Sequence, residues 1–198
     1  FKPRIGKRYI EFIGDSYTCG YGNEGKSHDE HFDYATENNY LSYGPITARA
    51  LHAEYIGICL SGIGMYQGYG GGTEFVMPNY YDAVTHSKKL SCNFAVHKPT
   101  MVVIDLGSND FSAGLDSVKF TIAYLNFLKR VRKNYPHSII VCAAGPSGEG
   151  EKFNIQKNYI ETVVNTFKKD DKAVHYFVFS PFQMNGRDWH PKWVEHRN

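Results

Sequence analysis

The feature that most constrains the fold is a nearly continuous apolar run at 101–106 (MVVIDL). Such a β-branched run, without polar alternation, is typical of a parallel strand buried on both faces. A parallel strand can pair again only after a crossover, which is usually a helix. The run therefore favours an α/β fold, and the rest of the chain supports it.

Four further segments, 8–13, 55–60, 138–144 and 174–179, have the composition of strands. Helices are predicted from Pro45, over 78–90 and from Glu151, where the last has an apolar stripe at Ile160, Val163, Val164 and Phe167. The clearest amphipathic helix precedes Pro136, and its predicted stripe is Val118, Ile122, Leu125, Leu128 and Val131. This alternation predicts a three-layer α/β/α sandwich with a mainly parallel, five-stranded sheet, in a single domain over 1–198.

Composition excludes several classes of protein. The chain has 22 Lys and Arg against 20 Asp and Glu, a balance that gives no reason to expect nucleic acid or a membrane surface as a partner. It has no run of 18 apolar residues that could span a bilayer. Aromatic residues reach 15%, with 15 Tyr, and such rings suit a surface that stacks on sugars.

The cysteines predict neither a metal site nor a redox site. No C-x-x-C spacing occurs among Cys19, Cys59, Cys92 and Cys142. The sequence does not exclude one disulfide between two of them. The long loop expected at 18–39 contains His28 and His31, but without a third ligand at a defined spacing a solvated loop is favoured over a metal pair.

Chemically suggestive residues follow four of the predicted strands. They are Ser16, Gly62, Asn109 and His190, with Asp188 close to His190. Because the carboxyl ends of parallel strands lie at one edge of the sheet, these residues are expected to face one crevice. A hydroxyl, a base, a carboxylate and donors for an oxyanion are what nucleophilic catalysis requires.

Each residue also has an ordinary structural alternative. Asn109 and Asp110 could cap a turn, His190 could be a turn histidine before Pro191, and Asp188 could be a helix N-cap. Their joint occurrence at strand ends favours the catalytic interpretation.

The sequence motifs around these residues resemble those of a known family. The segments IEFIGDSYTCGYGNEG, SGIGM, DLGSNDF and DWHP are similar to the conserved blocks of the GDSL/SGNH hydrolases, and most similar to carbohydrate esterase family two. The resemblance implies that Ser16 is the nucleophile, that His190 is the base, and that Ser16 N–H, Gly62 N–H and the Asn109 amide form the oxyanion hole.

The implied activity is removal of acetyl esters from plant cell-wall polysaccharides such as xylan, mannan or gluco-oligosaccharides, without a metal or organic cofactor. The resemblance also implies secretion and membership of a larger multidomain enzyme. Trp189, Tyr66 and Tyr69 are the candidates for stacking on sugar rings.

Two departures from the family pattern matter. Only Trp189 separates Asp188 from His190, whereas the superfamily has two residues there, so either the Asp188 carboxylate or a backbone carbonyl could orient the base. The N-terminal β-sandwich of the family is expected to be absent. Two rival functions stay open, namely a short-chain lipid esterase or thioesterase on the same fold, and a carbohydrate-binding module with incidental esterase activity.

Overall fold

The structure, a computed structural model, describes residues 8–85, 90–114, 116–145, 151–181 and 183–197. It contains the predicted five-stranded, all-parallel sheet, in the order β2-β1-β3-β4-β5. The strands are β1 Tyr9–Gly14, β2 Glu54–Cys59, β3 Met101–Asp105, β4 Ile139–Ala144 and β5 Val174–Val178. The fold-class prediction is confirmed, and each strand limit lies within one residue of the predicted one.

The register of the sheet brings the carboxyl ends of the strands together. Gly14 of β1 pairs with Cys59 of β2 and Asp105 of β3. The segments that follow these strands therefore begin side by side at one edge, as expected for a parallel sheet.

Helices flank both faces of the sheet. They are α1 Ser16–Cys19, α2 Tyr43–Ala50, α3 Met77–Tyr80, α4 Ser117–Asn134 and α5 Glu151–Phe167. The larger core joins α4 and α5 to one face of the sheet, and a smaller core joins α2 to the other. Successive residues of β1 alternate between the two, because Phe12 belongs to the small core and Ile13 to the large one.

Helix α4 buries only part of the predicted stripe. Leu128 and Val131 are buried as predicted, but Val118 and Ile122 are 64% and 54% exposed. The rest of the buried face is Phe120, Tyr124 and Phe127. This aromatic row has the same helical spacing as the predicted aliphatic stripe, and the larger rings remove more apolar area from water.

The helix predicted over 78–90 is present only as far as Tyr80; residues 86–89 lie outside the described part of the chain. Helix α3 ends at Tyr80, and the chain then turns back on itself. Ala83 forms an antiparallel bridge with Ser91, and the Val84 N–H donates to the Leu90 carbonyl at 2.8 Å. These hydrogen bonds between two antiparallel segments replace the i to i+4 bonds of a helix.

The long loop predicted after the first strand is present and is supported by the end of the chain. It contains two 3-10 turns, Tyr34–Thr36 and Asn39–Leu41. The buried Asn23 side chain donates to the Asn38 carbonyl at 2.9 Å, and the Asn23 carbonyl accepts from the Trp193 N–H at 2.9 Å. None of the described helices is both long and apolar enough to cross a membrane.

Candidate active site

Ser16 is the first residue of α1, directly beyond the end of β1. Asp15 caps this short helix by accepting from the Tyr17 N–H at 3.1 Å. Gly14 allows the tight turn, because a Cβ there would lie 1.9 Å from Thr18 Oγ1. Asp15 therefore shapes the turn that presents Ser16.

The Ser16 hydroxyl lies beside the His190 ring. The distance from Ser16 Oγ to His190 Nε2 is 2.9 Å, and His190 Nδ1 is 2.9 Å from the Asp188 backbone carbonyl oxygen. Because a carbonyl can only accept, Nδ1 carries the proton and Nε2 presents its lone pair to Ser16. Burial lowers the pKa of the His190 imidazole below its usual value, against the opposing effect of the bond to the Asp188 carbonyl. The ring is therefore neutral and is placed as a base at neutral pH.

The Asp188 carboxylate does not contact the His190 ring. Its Oδ2 atom accepts from the Tyr21 hydroxyl at 2.9 Å and from the Phe32 N–H at 2.8 Å. The sequence left two acceptors open for His190 Nδ1, namely the Asp188 carboxylate and a backbone carbonyl. In the structure the acceptor is the backbone carbonyl of Asp188, so the prediction of Asp188 as the catalytic carboxylate is not what the geometry shows.

An unusual backbone conformation produces this arrangement. Asp188 and Trp189 have φ values of 48° and 58°, both in the left-handed region that side chains usually avoid. The turn directs the Asp188 carbonyl towards Nδ1 and the carboxylate towards the long loop at 18–39. Sequence patterns did not predict it, since neither residue is glycine.

Two backbone N–H groups near Ser16 are free to bind an oxyanion. In the described part of the chain, no hydrogen bond joins the Ser16 N–H or the Gly62 N–H to an acceptor. Gly62 has a φ of 80°, and its carbonyl accepts from the Tyr69 N–H at 2.9 Å. The conformation of Gly62 therefore requires glycine and leaves its N–H available.

The predicted third donor, Asn109, lies in the same crevice but is engaged. Its amide nitrogen is 2.9 Å from the Ile63 carbonyl and 3.2 Å from Asp15 Oδ2. Ser108 also donates to Asp15 Oδ2. Burial raises the pKa of Asp15 to about 6, opposed by the bonds from Ser108 and the Tyr17 N–H. To reach an oxyanion, Asn109 would exchange the longer of its two contacts.

Asp110 fixes the segment that carries Gly62. Its two carboxylate oxygens accept from the backbone N–H groups of Met65, Tyr66 and Gln67, at 2.8, 2.7 and 3.0 Å. Burial raises the pKa of Asp110 to about 6, although these three bonds oppose the change. The sequence offered Asp110 as a turn cap, and the structure shows a carboxylate that organises the turn after Gly62.

The structure separates the three aromatic candidates. Trp189 is 62% exposed and Tyr69 77% exposed, and both line the crevice. Trp189 also packs on the His28 ring, with centroids 3.9 Å apart. Tyr66 lies elsewhere, packed against the large core and facing Lys119, so its predicted place at the site is wrong. Its backbone N–H donates to Asp110 Oδ1 at 2.7 Å.

We call this crevice the Ser16 cleft. Its volume is about 650 Å³, and none of the described residues that line it has an aliphatic side chain. The lining residues are Ser16, Tyr17, Tyr21, Ser61, Gly62, Tyr69, Ser108, Asn109, Ser112, Asp188, Trp189 and His190. Sequence analysis missed Tyr17 and Tyr21, whose rings lie 5.3 and 4.3 Å from the His190 ring centroid. Their position within six residues of Ser16 was the available signal.

No group of three or more His, Cys, Asp or Glu side chains could hold a metal ion within the described ranges. The four cysteines are free thiols in the structure. The Ser16 cleft therefore offers a serine hydroxyl, a neutral imidazole and two backbone donors, which together suit attack on an ester carbonyl.

Comparison with known proteins agrees with this chemistry. The family model of the GDSL-like lipase/acylhydrolase family matches residues 12–197. The cellulase/esterase CelE of Acetivibrio thermocellus is 40% identical over 200 residues, covering 98% of this chain and 25% of that protein. An acetylxylan esterase/glucomannan deacetylase of Cellvibrio japonicus is 30% identical over 201 residues, covering 93% of this chain and 54% of that protein.

A solved structure shows the same fold. It is a family two carbohydrate esterase from Clostridium thermocellum in complex with cellohexaose, with a TM-score of 0.95 and 39% identity. The match covers all of this chain and 62% of that one. The chain thus spans between a quarter and about three fifths of the length of these three relatives.

Proposed function

The chain belongs to the GDSL-like lipase/acylhydrolase family, close to the family two carbohydrate esterases, and we propose that it is a serine esterase that removes O-acetyl groups from plant cell-wall polysaccharides. The observation that carries the proposal is the 2.9 Å contact between Ser16 Oγ and His190 Nε2, beside two unpaired backbone donors.

The reaction has two steps in this proposal. His190 takes the hydroxyl proton as Ser16 Oγ attacks the acetyl carbonyl, and the oxyanion accepts from the Ser16 and Gly62 N–H groups. Protonated His190 then gives its proton to the departing sugar oxygen, leaving an acetyl ester on Ser16. Water, deprotonated by His190, attacks that ester, and acetate leaves as the Ser16 hydroxyl is restored.

The lining of the Ser16 cleft favours a sugar over an acyl chain. Hydroxyl, amide and aromatic groups line it, whereas an acyl channel needs aliphatic walls. Tyr69 and Trp189 supply exposed rings that suit the apolar faces of sugars. The relatives named as acetylxylan esterase/glucomannan deacetylase, and the relative that binds cellohexaose, support the same substrate class.

The setting of the domain forms part of the proposal. Residues 1–198 act as one hydrolase domain of a larger, exported enzyme that degrades the cell wall. Support comes from the single sheet of the described residues and from the greater length of the relatives. Export follows from a substrate that lies outside cells.

Ester chain length tests the proposal against the lipid-esterase alternative. We expect rapid release of acetate from acetylated glucomannan or xylan. With matched acetyl and octanoyl esters, kcat/KM for the octanoyl ester should be at least about 100-fold lower than for the acetyl ester. Faster turnover of octanoyl esters would contradict the assignment. If soluble mannan also inhibits deacetylation competitively, binding and chemistry share one cleft; deacetylation unaffected by saturating mannan would count against the polysaccharide assignment.

A further inference from the structure

Something must stabilise the turn that aims the base, because two consecutive left-handed residues without glycine are costly. Each costs about 1 to 2 kcal/mol. The backbone of the turn is fixed on both sides: the Arg187 N–H donates to the Gly22 carbonyl at 3.1 Å, and the Asp188 N–H donates to the Glu30 carbonyl at 3.0 Å. Both acceptors belong to the long loop at 18–39.

The side chain of Asp188 ties the turn to the same loop. Both of its short bonds, from the Tyr21 hydroxyl and the Phe32 N–H, end on Oδ2. Phe32 stacks on Tyr21, with ring centroids 4.2 Å apart and an interplanar angle of 21°. The Tyr21 ring also packs against the His190 ring, with centroids 4.3 Å apart. Tyr21 therefore links the long loop, the Asp188 carboxylate and the His190 ring.

We propose that Tyr21 and the Asp188 carboxylate are positioning residues, which hold the left-handed turn so that the Asp188 backbone carbonyl keeps His190 Nδ1 in place. We call this arrangement the Tyr21–Asp188 clamp. The inference rests on the proposed function, since it concerns the base of that reaction. In this arrangement the carboxylate acts on the ring through its own backbone and not by direct contact.

The clamp makes a prediction that a catalytic triad does not. Because both bonds to Asp188 end on Oδ2, an Asn amide oxygen at that position can accept both of them. Asp188→Asn should therefore keep kcat/KM within about threefold of wild type, whereas Asp188→Ala should lose about 10- to 100-fold. A carboxylate that stabilised the imidazolium directly would make Asp188→Asn severely damaging, as in serine proteases.

Tyr21→Phe removes only the hydroxyl of the clamp and keeps the ring on His190. We expect kcat for an acetyl ester to fall about 3- to 30-fold with KM little changed. The groups that face His190 are Ser16, Tyr17, Tyr21, the Asp188 carbonyl and carboxylate, and the buried His196.

The direction of the pH effect separates positioning from simple destabilisation. The Asp188 carbonyl bond raises the pKa of His190 against the larger effect of burial. Tyr21→Phe keeps the Asp188 charge, which also raises this pKa, so loosening of the carbonyl bond in that variant should shift the acid limb of kcat/KM to lower pH. A loss of stability alone would leave the limb in place. His31, whose Nδ1 is 3.5 Å from Asp188 Oδ1, is removed as a confounder by repeating the profile in a His31→Ala background.

Tyr34→Phe is the matched control, since it removes a phenol hydroxyl from the same loop at a side chain that is 85% exposed. It should change neither kcat nor the limb. The clamp is overturned if Tyr21→Phe leaves both at the wild-type values, or if Asp188→Asn is as damaging as Asp188→Ala. Failure of the proposed function would instead show as wild-type protein without acetyl esterase activity, so the two failures are distinguishable.

Discussion

His190 Nδ1 lies 2.9 Å from the backbone carbonyl oxygen of Asp188, while the carboxylate of the same residue bonds to Tyr21 and Phe32. One residue thus supplies the acceptor for the base with its backbone and the attachment to the first long loop with its side chain. A carbonyl carries no net charge, so the Ser16 cleft has a serine–histidine pair without a charged partner on the ring.

The pH dependence of activity should follow from the burial of His190. Its neutral form is the base, so kcat/KM for an uncharged acetyl ester rises with pH through the pKa of the free enzyme and then levels. Because burial lowers that pKa, the acid limb should lie at lower pH than the limb of an unperturbed histidine, whose pKa is about 6.5. A limb at or above pH 6.5 would contradict the account.

Gly62→Ala should damage catalysis through the backbone. An added Cβ would meet nothing closer than Phe75 Cε1 at 3.8 Å, so the cost comes from the φ of 80°. Relief of that strain turns the Gly62 N–H away from the oxyanion, and kcat should fall about 10- to 100-fold with a small change in KM. Gly72→Ala is the control, because that glycine has open space and no positive φ. Equal kinetics in the two variants would refute the role of Gly62.

Asp110→Asn should loosen the turn after Gly62. Both carboxylate oxygens accept from N–H groups, so an Asn amide must direct its own N–H₂ at one of these donors. The free energy of unfolding, measured in urea, should fall by about 1 to 3 kcal/mol, with a loss of kcat. Asp116→Asn is the matched change at an exposed helix cap, where Asn caps equally well, and it should be near neutral. A neutral Asp110→Asn variant would contradict the role of Asp110 in holding the turn after Gly62.

Tyr66 and Tyr69, three residues apart in sequence, should differ in sugar binding. Tyr69→Ala removes an exposed ring from the Ser16 cleft and should weaken binding of a cello- or manno-oligosaccharide about 5- to 50-fold by calorimetry. Tyr66→Ala removes a ring that packs on the core and should lower the melting temperature without weakening binding. Equal losses of affinity would show that the structure has separated them wrongly.

The sequence was sufficient for the sheet and for the residues at its carboxyl edge. Long β-branched runs such as that of β3 determine strands through burial, and parallel pairing then brings Ser16, Gly62, Asn109 and His190 to one edge. The direction of individual side chains was harder to predict. In α4 two stripes share one helical period, and only packing decides that Phe120 is buried and Val118 exposed.

The details of the Ser16 cleft depend on contacts between distant segments. The left-handed turn at Asp188 is supported by bonds from a loop more than 150 residues away in sequence, so no local pattern could predict where the carboxylate points. The sequence alone does not separate Tyr66 from Tyr69, whereas the fold packs Tyr66 against the large core and places Tyr69 in the cleft lining. The residues at the strand ends were predictable, but Tyr17, Tyr21 and the way in which the base is held were not.

The most direct test of the account is acetate release from acetylated glucomannan by the wild-type protein and by Ser16→Ala. Ser16 is 7% exposed and its hydroxyl is small, so the variant should keep its fold, which circular dichroism can verify. We predict that wild type releases acetate and that Ser16→Ala loses at least about 10³-fold in kcat/KM. A folded Ser16→Ala protein that still releases acetate at the wild-type rate would contradict the assignment of Ser16 as the nucleophile.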